Sequence, residues 1–222
     1  TVNSMQQLFA RAASLLLGNG VDAAGDHDAM LVLKALEYDS PSNAGIDSER
    51  ANRARLLAAA SRFARVFELV APDAPGLFSF GAQFDPLLAD PLHHGSPMVG
   101  VSGVGLTLRD AFQGCIGEGI EYLSQLQAAT DVLLTPGSDD WGGKLGPKGL
   151  KLVAALLERR LQPERALSWC RVTRPADGGE AWLPVDICLR RPPAQRDFVP
   201  PFPLSIGSAA GPSRDAAALH GL

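Results

Sequence analysis

Three helical patterns open the chain. Met5, Leu8, Phe9, Ala12, Leu15 and Leu16 recur at helical spacing until Gly18-Asn19-Gly20 stops the run. The pattern predicts a second helix over 28–36, ahead of the turn signal Ser40-Pro41-Ser42-Asn43. A third begins near Ser48 and gathers Ala51, Leu56, Ala59 and Phe63 on one face, with Arg53, Arg55 and Arg62 elsewhere. Residues 1–64 therefore read as a helical N-terminal region suited to packing or partner recognition, with no evident chemistry.

The period changes at Arg65. Residues 66–70 and 77–80 alternate as strands around the turn-rich stretch 71–76, and 98–101 makes a further short strand. Gly103-Val104-Gly105 then reads as a turn feeding a helix from Thr107 to about Ala128, with Thr107 and Asp110 spaced like a capping box. A Gly-, Asp- and Pro-rich loop over 130–146 precedes a helix ending near Leu161. Residues 167–172 and 181–184 flank Asp177-Gly178-Gly179 as a hairpin, and 190–203 is proline-rich and extended. The alternation predicts an α/β class, with α+β as its neighbour, over residues 65–222.

Composition narrows the function. The 222 residues are 46% hydrophobic and 20% charged, which excludes a disordered chain. A net charge of −4 excludes a sequence-blind nucleic-acid binder. The arginine clusters, Arg159, Arg160 and Arg165 among them, read as solvated helix faces. Cys115, Cys170 and Cys188 show no CxxC spacing, so a reducing, cytoplasmic setting fits better than a disulfide scaffold or a zinc ribbon. No apolar run is long enough to span a membrane, and no signal segment is evident.

The stretch that can carry chemistry is Gly117-Glu118-Gly119-Ile120-Glu121. Carboxylates three apart share a helix face and repel unless a cation or solvent lies between them. Each flanking glycine costs ~1 kcal/mol of helix propensity, a cost often accepted where another backbone or a ligand comes close. A solvated acidic face is the ordinary reading of such a pair; Mg²⁺ with phosphate oxygens is the chemical one. Other candidates are weaker. Gly103-Val104-Gly105 resembles a phosphate-cradling loop, but GxG is mostly a turn, and neither GxxxxGK[ST] nor GxGxxG occurs. Lys144 to Lys148 reads as a loop and helix start, and Asp139-Asp140 beside Trp141 as solvated acids. His27, His93, His94 and His220 are too scattered for zinc, with His93-His94 expected at the surface. Cys115 reads as a buried, inert thiol.

Two segments echo each other, with chance the ordinary reading of so short a match: Gly105 leads through Arg109-Asp110-Ala111 into one helix, and Gly211 through Arg214-Asp215-Ala216 into another. The position matching Glu118 then falls just beyond Leu222, so the sequence reads as a fragment holding one of two acidic helices and inactive by itself.

Taken together, these segments resemble the YcaO domain family over roughly residues 65–222. Gly105 to Ala111 followed by Glu118 and Glu121 resembles its Gly-rich turn and ExxE helix. Ala181-Trp182-Leu183-Pro184 is like its G-x-x-W-x-P, and Ser205 to Gly211 like its S-x-G-x-A-A-G. The resemblance implies ATP and Mg²⁺ as cofactors. Phosphorylation of a peptide backbone amide would follow, yielding azolines by cyclodehydration, or thioamides and amidines, as in the maturation of ribosomally made peptides. It implies Glu118 and Glu121 as magnesium ligands, with Arg109 and Ser205 on the nucleotide side and no catalytic nucleophile assigned. It further implies a peptide or protein substrate, with room for a partner supplying sulfur or binding a leader peptide, and for a homodimer; neither nucleic acid nor membrane is implied. The chain departs from the family pattern at Tyr122, where Arg is usual, at Gly114, where Ser is common, and at Ile206. Those departures bear on nucleotide affinity and leave a second reading, a non-catalytic accessory or scaffold protein of the same fold.

Overall fold

The computed structural model describes residues 4–19, 23–39, 46–134, 167–174, 177–199 and 207–221. The loop and helix expected over 135–166, with Asp139, Asp140, Trp141, Lys144 and Lys148, lie outside the described residues. So do Ser205, Ile206 and residues 200–203.

Helix α1 spans Ser4–Leu16 and buries Phe9, Ala12, Ala13 and Leu16. It stops where Gly18 takes φ +80°, with Gly18 N–H donating to Leu15 O and Asn19 N–H to Ser14 O. That is the Schellman arrangement that glycine favours after a last turn. Helix α2 runs Ala23–Ala35, five residues earlier than the apolar pattern implies. Its first turn has no apolar stripe to detect; Asp26 there accepts from Arg11 Nε at 2.6 Å and favours the positive helix end. Helix α3 spans Ile46–Ala60.

Strands β1 (Arg65–Leu69), β2 (Phe78–Phe84) and β3 (Val99–Gly105) form an antiparallel sheet in that order. Gly103-Val104-Gly105 is therefore strand, not a turn: Gly103 pairs with Phe80 and Gly105 with Phe78. The glycines are there because helix α4, Leu108–Ser124, lies directly on them. A Cβ on Gly103 would overlap Cys115 N and Ala111 O and sit 2.8 Å from Cys115 Cα. Thr107 caps α4 by accepting from Asp110 N–H at 3.0 Å, as its spacing suggested.

One core joins these parts. Val66, Ala82, Phe84 and Val101 face α1, α3 and α4, burying Phe9, Leu57, Phe63, Phe112 and Ile116 among them. Phe9, Phe112 and Phe80 contact in sequence at 5.6 and 5.7 Å, and Phe63, Phe84 and Tyr122 at 5.0 and 5.8 Å. Full burial of each such ring is worth ~1.5–3 kcal/mol, so the helical region and the sheet stabilise each other.

A second antiparallel sheet pairs β4 (Leu133–Leu134), β5 (Trp169–Thr173) and β6 (Glu180–Pro184). The hairpin turn is the one expected, with Gly178 at φ +67°. Helix α5 (Val185–Cys188) follows at once, and its Asp186, 1% exposed, organises what comes next. Asp186 Oδ2 accepts from Asp197 N–H at 2.8 Å and Phe198 N–H at 3.3 Å, while Arg191 pairs with both Asp186 and Asp197. Arg191 Nε also donates to Gln127 Oε1 at 2.8 Å, tying this sheet to the end of α4. Against the surface expectation, His93 is buried, and its Nε2 donates to Gln127 O at 2.8 Å. Helix α6 (Arg214–His220) closes the described chain. The molecule is thus of the mixed α/β class, with antiparallel pairing in both sheets among the described residues.

Candidate functional site

Helix α4 owes its position to the two strand glycines, and with it the two acidic side chains it carries. Glu118 and Glu121 are neighbours on one helix face. Among the described residues strand β3 is an edge whose outward N–H groups have no strand partner; that of Ser102 donates to Glu118 Oε2 at 3.0 Å. Glu121 is half-buried, and its Oε1 accepts from Gln125 Nε2 at 3.3 Å. Each carboxylate is thereby oriented by one neutral donor.

The costly glycines have separate explanations. Gly119 makes room for the Phe63 ring, whose Cζ would lie 2.6 Å from an added Cβ, so this one serves the core. Gly117 faces the segment after Ser205: a Cβ there would lie 3.8 Å from Ala210 Cβ. That segment is wrapped round α6. Ala210 O accepts from His220 Nδ1 at 3.2 Å, and Gly211 is so close to α6 that an added Cβ would sit 2.6 Å from Ala217 N. The two sequence-distant motifs, ExxE and 207–211, therefore meet at Gly117.

The echo between the two helix starts is also present, in a different register. Gly105 packs on Ala111 N and Thr107 caps α4; Gly211 packs on Ala217 N and Ser213 caps α6 by accepting from Ala216 N–H. Glycine and cap correspond at a constant offset, whereas Arg109 and Arg214 fall one residue out of step.

Arg109 is not brought to the acidic pair. Nine residues before Glu118, it lies about two and a half turns away on the opposite side of α4. There it pairs with Glu37 at 3.4 Å and Asp110 at 3.7 Å. Glu37 itself ends α2 in the left-handed region at φ 55°. Cys115, on the same helix as the pair, is buried, and burial with the Glu118 charge pushes its thiol up to about 12, so it stays neutral. Of the departures, Gly114 is not imposed by packing, since an added Cβ would make ordinary contact with Gly103 Cα at 3.7 Å. Tyr122 lies between Phe84 and the guanidinium of Arg190, which sits 4.3 Å from its ring centroid.

Among the described residues no three His, Cys, Asp or Glu side chains converge. The Glu118–Glu121 pair thus provides part of a ligand set. Two carboxylates with oxygen to spare fit Mg²⁺, which typically takes its remaining ligands from water and phosphate. Sequence spacing exposed the pair but did not single out Gln125, although it stands four residues beyond Glu121 on the same helix face. Ser102 and Arg190, which complete the surroundings, come from segments whose approach no local pattern announces.

A family model described as YcaO cyclodehydratase, ATP- and Mg²⁺-binding, matches residues 102–222, more than half of the chain. The chain belongs to the YcaO family. Among solved structures it is similar to YcaO from Methanopyrus kandleri bound with AMPPCP and Mg²⁺, at 14% identity and a TM-score of 0.49. It is also similar to a heterocyclase in complex with substrate and cofactor, at 17% identity and a TM-score of 0.48. Each likeness covers 72% of this chain, but only 36% and 24% of those chains respectively. No curated protein matches. No helix among the described residues is long and apolar enough to cross a membrane.

Proposed function

We propose that this chain contributes an acidic helix to an ATP- and Mg²⁺-dependent enzyme that activates a peptide backbone amide, with Glu118 and Glu121 as magnesium ligands. The observation that carries this is the pair itself: two carboxylates on one helix face, each held by a neutral N–H, next to the 207–211 segment. When bound, Mg²⁺–ATP supplies the phosphoryl group that turns an amide oxygen into a leaving group, so that a peptide Cys, Ser or Thr yields an azoline and other nucleophiles a thioamide or amidine. Such chemistry depends chiefly on placing phosphate and metal. The chain's own contribution is to orient two carboxylates, Glu118 against strand β3 and Glu121 against Gln125. The small residues of 207–211 approach without side-chain bulk, and Ser205, outside the described residues, is assigned to the nucleotide side on the family resemblance alone. Arg109, engaged with Glu37, is left out of the proposed ligand set. The substrate class is a peptide or protein, with a sulfur-supplying or leader-binding partner as a finer option.

The test is Mg²⁺-dependent ATP binding by the complete gene product, followed calorimetrically, with Glu118→Gln alongside. Binding by the wild type and at least a tenfold loss in the variant are expected. If neither protein binds nucleotide, the proposal fails and the non-catalytic scaffold, favoured by Tyr122 standing where the family usually has Arg, replaces it.

A further inference from the structure

The end of α4 holds an arrangement that neither packing nor the acidic pair alone explains. Gln125, 7% exposed, is the C-cap of α4. Its Oε1 accepts from Arg190 Nε at 2.7 Å, and its Nε2 donates to Glu121 Oε1 at 3.3 Å. An arginine nitrogen can only donate, so the atom it meets must be the amide oxygen. The orientation of the Gln125 amide is thereby forced, and its NH₂ must face Glu121. Arg190 is itself fixed three further times. Its N–H donates to Gln125 O at 2.7 Å, its O accepts from Gln127 N–H at 3.0 Å, and its guanidinium covers the Tyr122 ring.

A direct Arg–Glu121 pair would set a cation in competition with any metal at that carboxylate. Here the link from Arg190 to Glu121 runs through a neutral amide instead. Glu121 Oε1 is held by that amide, and among the described residues no hydrogen bond engages Oε2, which is left for a ligand. Glu118 is treated the same way by the Ser102 N–H. Hydrogen-bond partners behind a metal-binding carboxylate typically change metal affinity 10–100-fold.

We propose that Arg190 and Gln125 are positioning residues for Glu121, the arginine locking the amide that aims the carboxylate at a divalent cation. This rests on Glu121 being a magnesium ligand, as proposed above. The competing explanation is that Arg190 merely caps the C-terminus of α4, which would affect stability and nothing else.

The two are separated by titrating Mg²⁺ at saturating ATP in the complete gene product and reading the Mg²⁺ midpoint of nucleotide binding, with melting temperature measured in parallel. Gln125→Leu and Arg190→Met are expected to raise the midpoint about tenfold while leaving nucleotide binding at saturating Mg²⁺ intact. Arg190→Lys, which keeps a donor and a charge, is expected to recover most of the shift. Arg190→Met retains both backbone hydrogen bonds, so it carries the test if Gln125→Leu unfolds. A lowered melting temperature with an unchanged midpoint overturns the inference in favour of simple capping. Should Glu118→Gln also leave ATP binding unchanged, it is the underlying ligand assignment that has failed, and the two failures are told apart.

Discussion

Among the described residues the two antiparallel sheets have three strands each and are held in opposite ways. The first turns one face onto three helices and is fixed by apolar area, with six aromatic rings in contact across α1, the turn after α3, α4 and β2. The second has a small cluster of Leu167, Trp169 and Phe198, and at its centre the buried Asp186–Arg191–Asp197 group. Among the described residues little apolar surface covers this short sheet, and directional bonds fix its arrangement. What it gives up is indifference to pH and to the loss of any one partner, since each buried charge is costly once unpaired.

That contrast can be broken from either side. Phe112→Ala removes the ring that joins α1 to β2, and a loss of about 3–5 kcal/mol is expected by denaturant titration, abolishing protection in both sheets. Asp186→Ala leaves Arg191 less than fully paired, and a loss of about 3 kcal/mol is expected. Hydrogen exchange should rise in β5, β6 and 190–198 while α1, α4 and β2 stay protected; uniform exchange in both sheets would show that the division is not real. The subtlest effect is on pH. Burial raises the Asp186 carboxyl above its ordinary value, outweighing the backbone N–H groups and Arg191 that lower it. The folded state then holds the proton to higher pH than the unfolded state. The Asp186 contribution to stability is therefore greatest below its ordinary range and declines as pH rises through the raised one. Asp186→Asn should flatten that component, seen as a stability difference from the wild type that varies with pH over this window.

The same contrast governs what the sequence made legible. α1, α3 and the hairpin about Asp177-Gly178-Gly179 were readable because periodicity or turn chemistry is local. The acidic pair was readable because three-residue spacing on a helix is local too. Gly103-Val104-Gly105 misled because glycine marks a turn and a close-packed strand with the same letter, and only the presence of α4 decides between them. Arg109, which the family resemblance implied on the nucleotide side, lies across α4 from Glu118 and pairs with Glu37, because a helix places the ninth residue on its far side. Gln125 and Arg190 stand 65 residues apart and meet only because Leu126 and Arg190 form a parallel bridge.

The hydrogen bond from Ser102 to Glu118 also gives the molecule an internal indicator. The Ser102 amide proton belongs to the backbone of an edge strand, yet its only described acceptor is a side chain from the acidic helix. Whatever draws Glu118 toward a cation must lengthen or polarise that bond. The amide resonance of a single serine would then register the arrival of a metal, with no probe added and no turnover required.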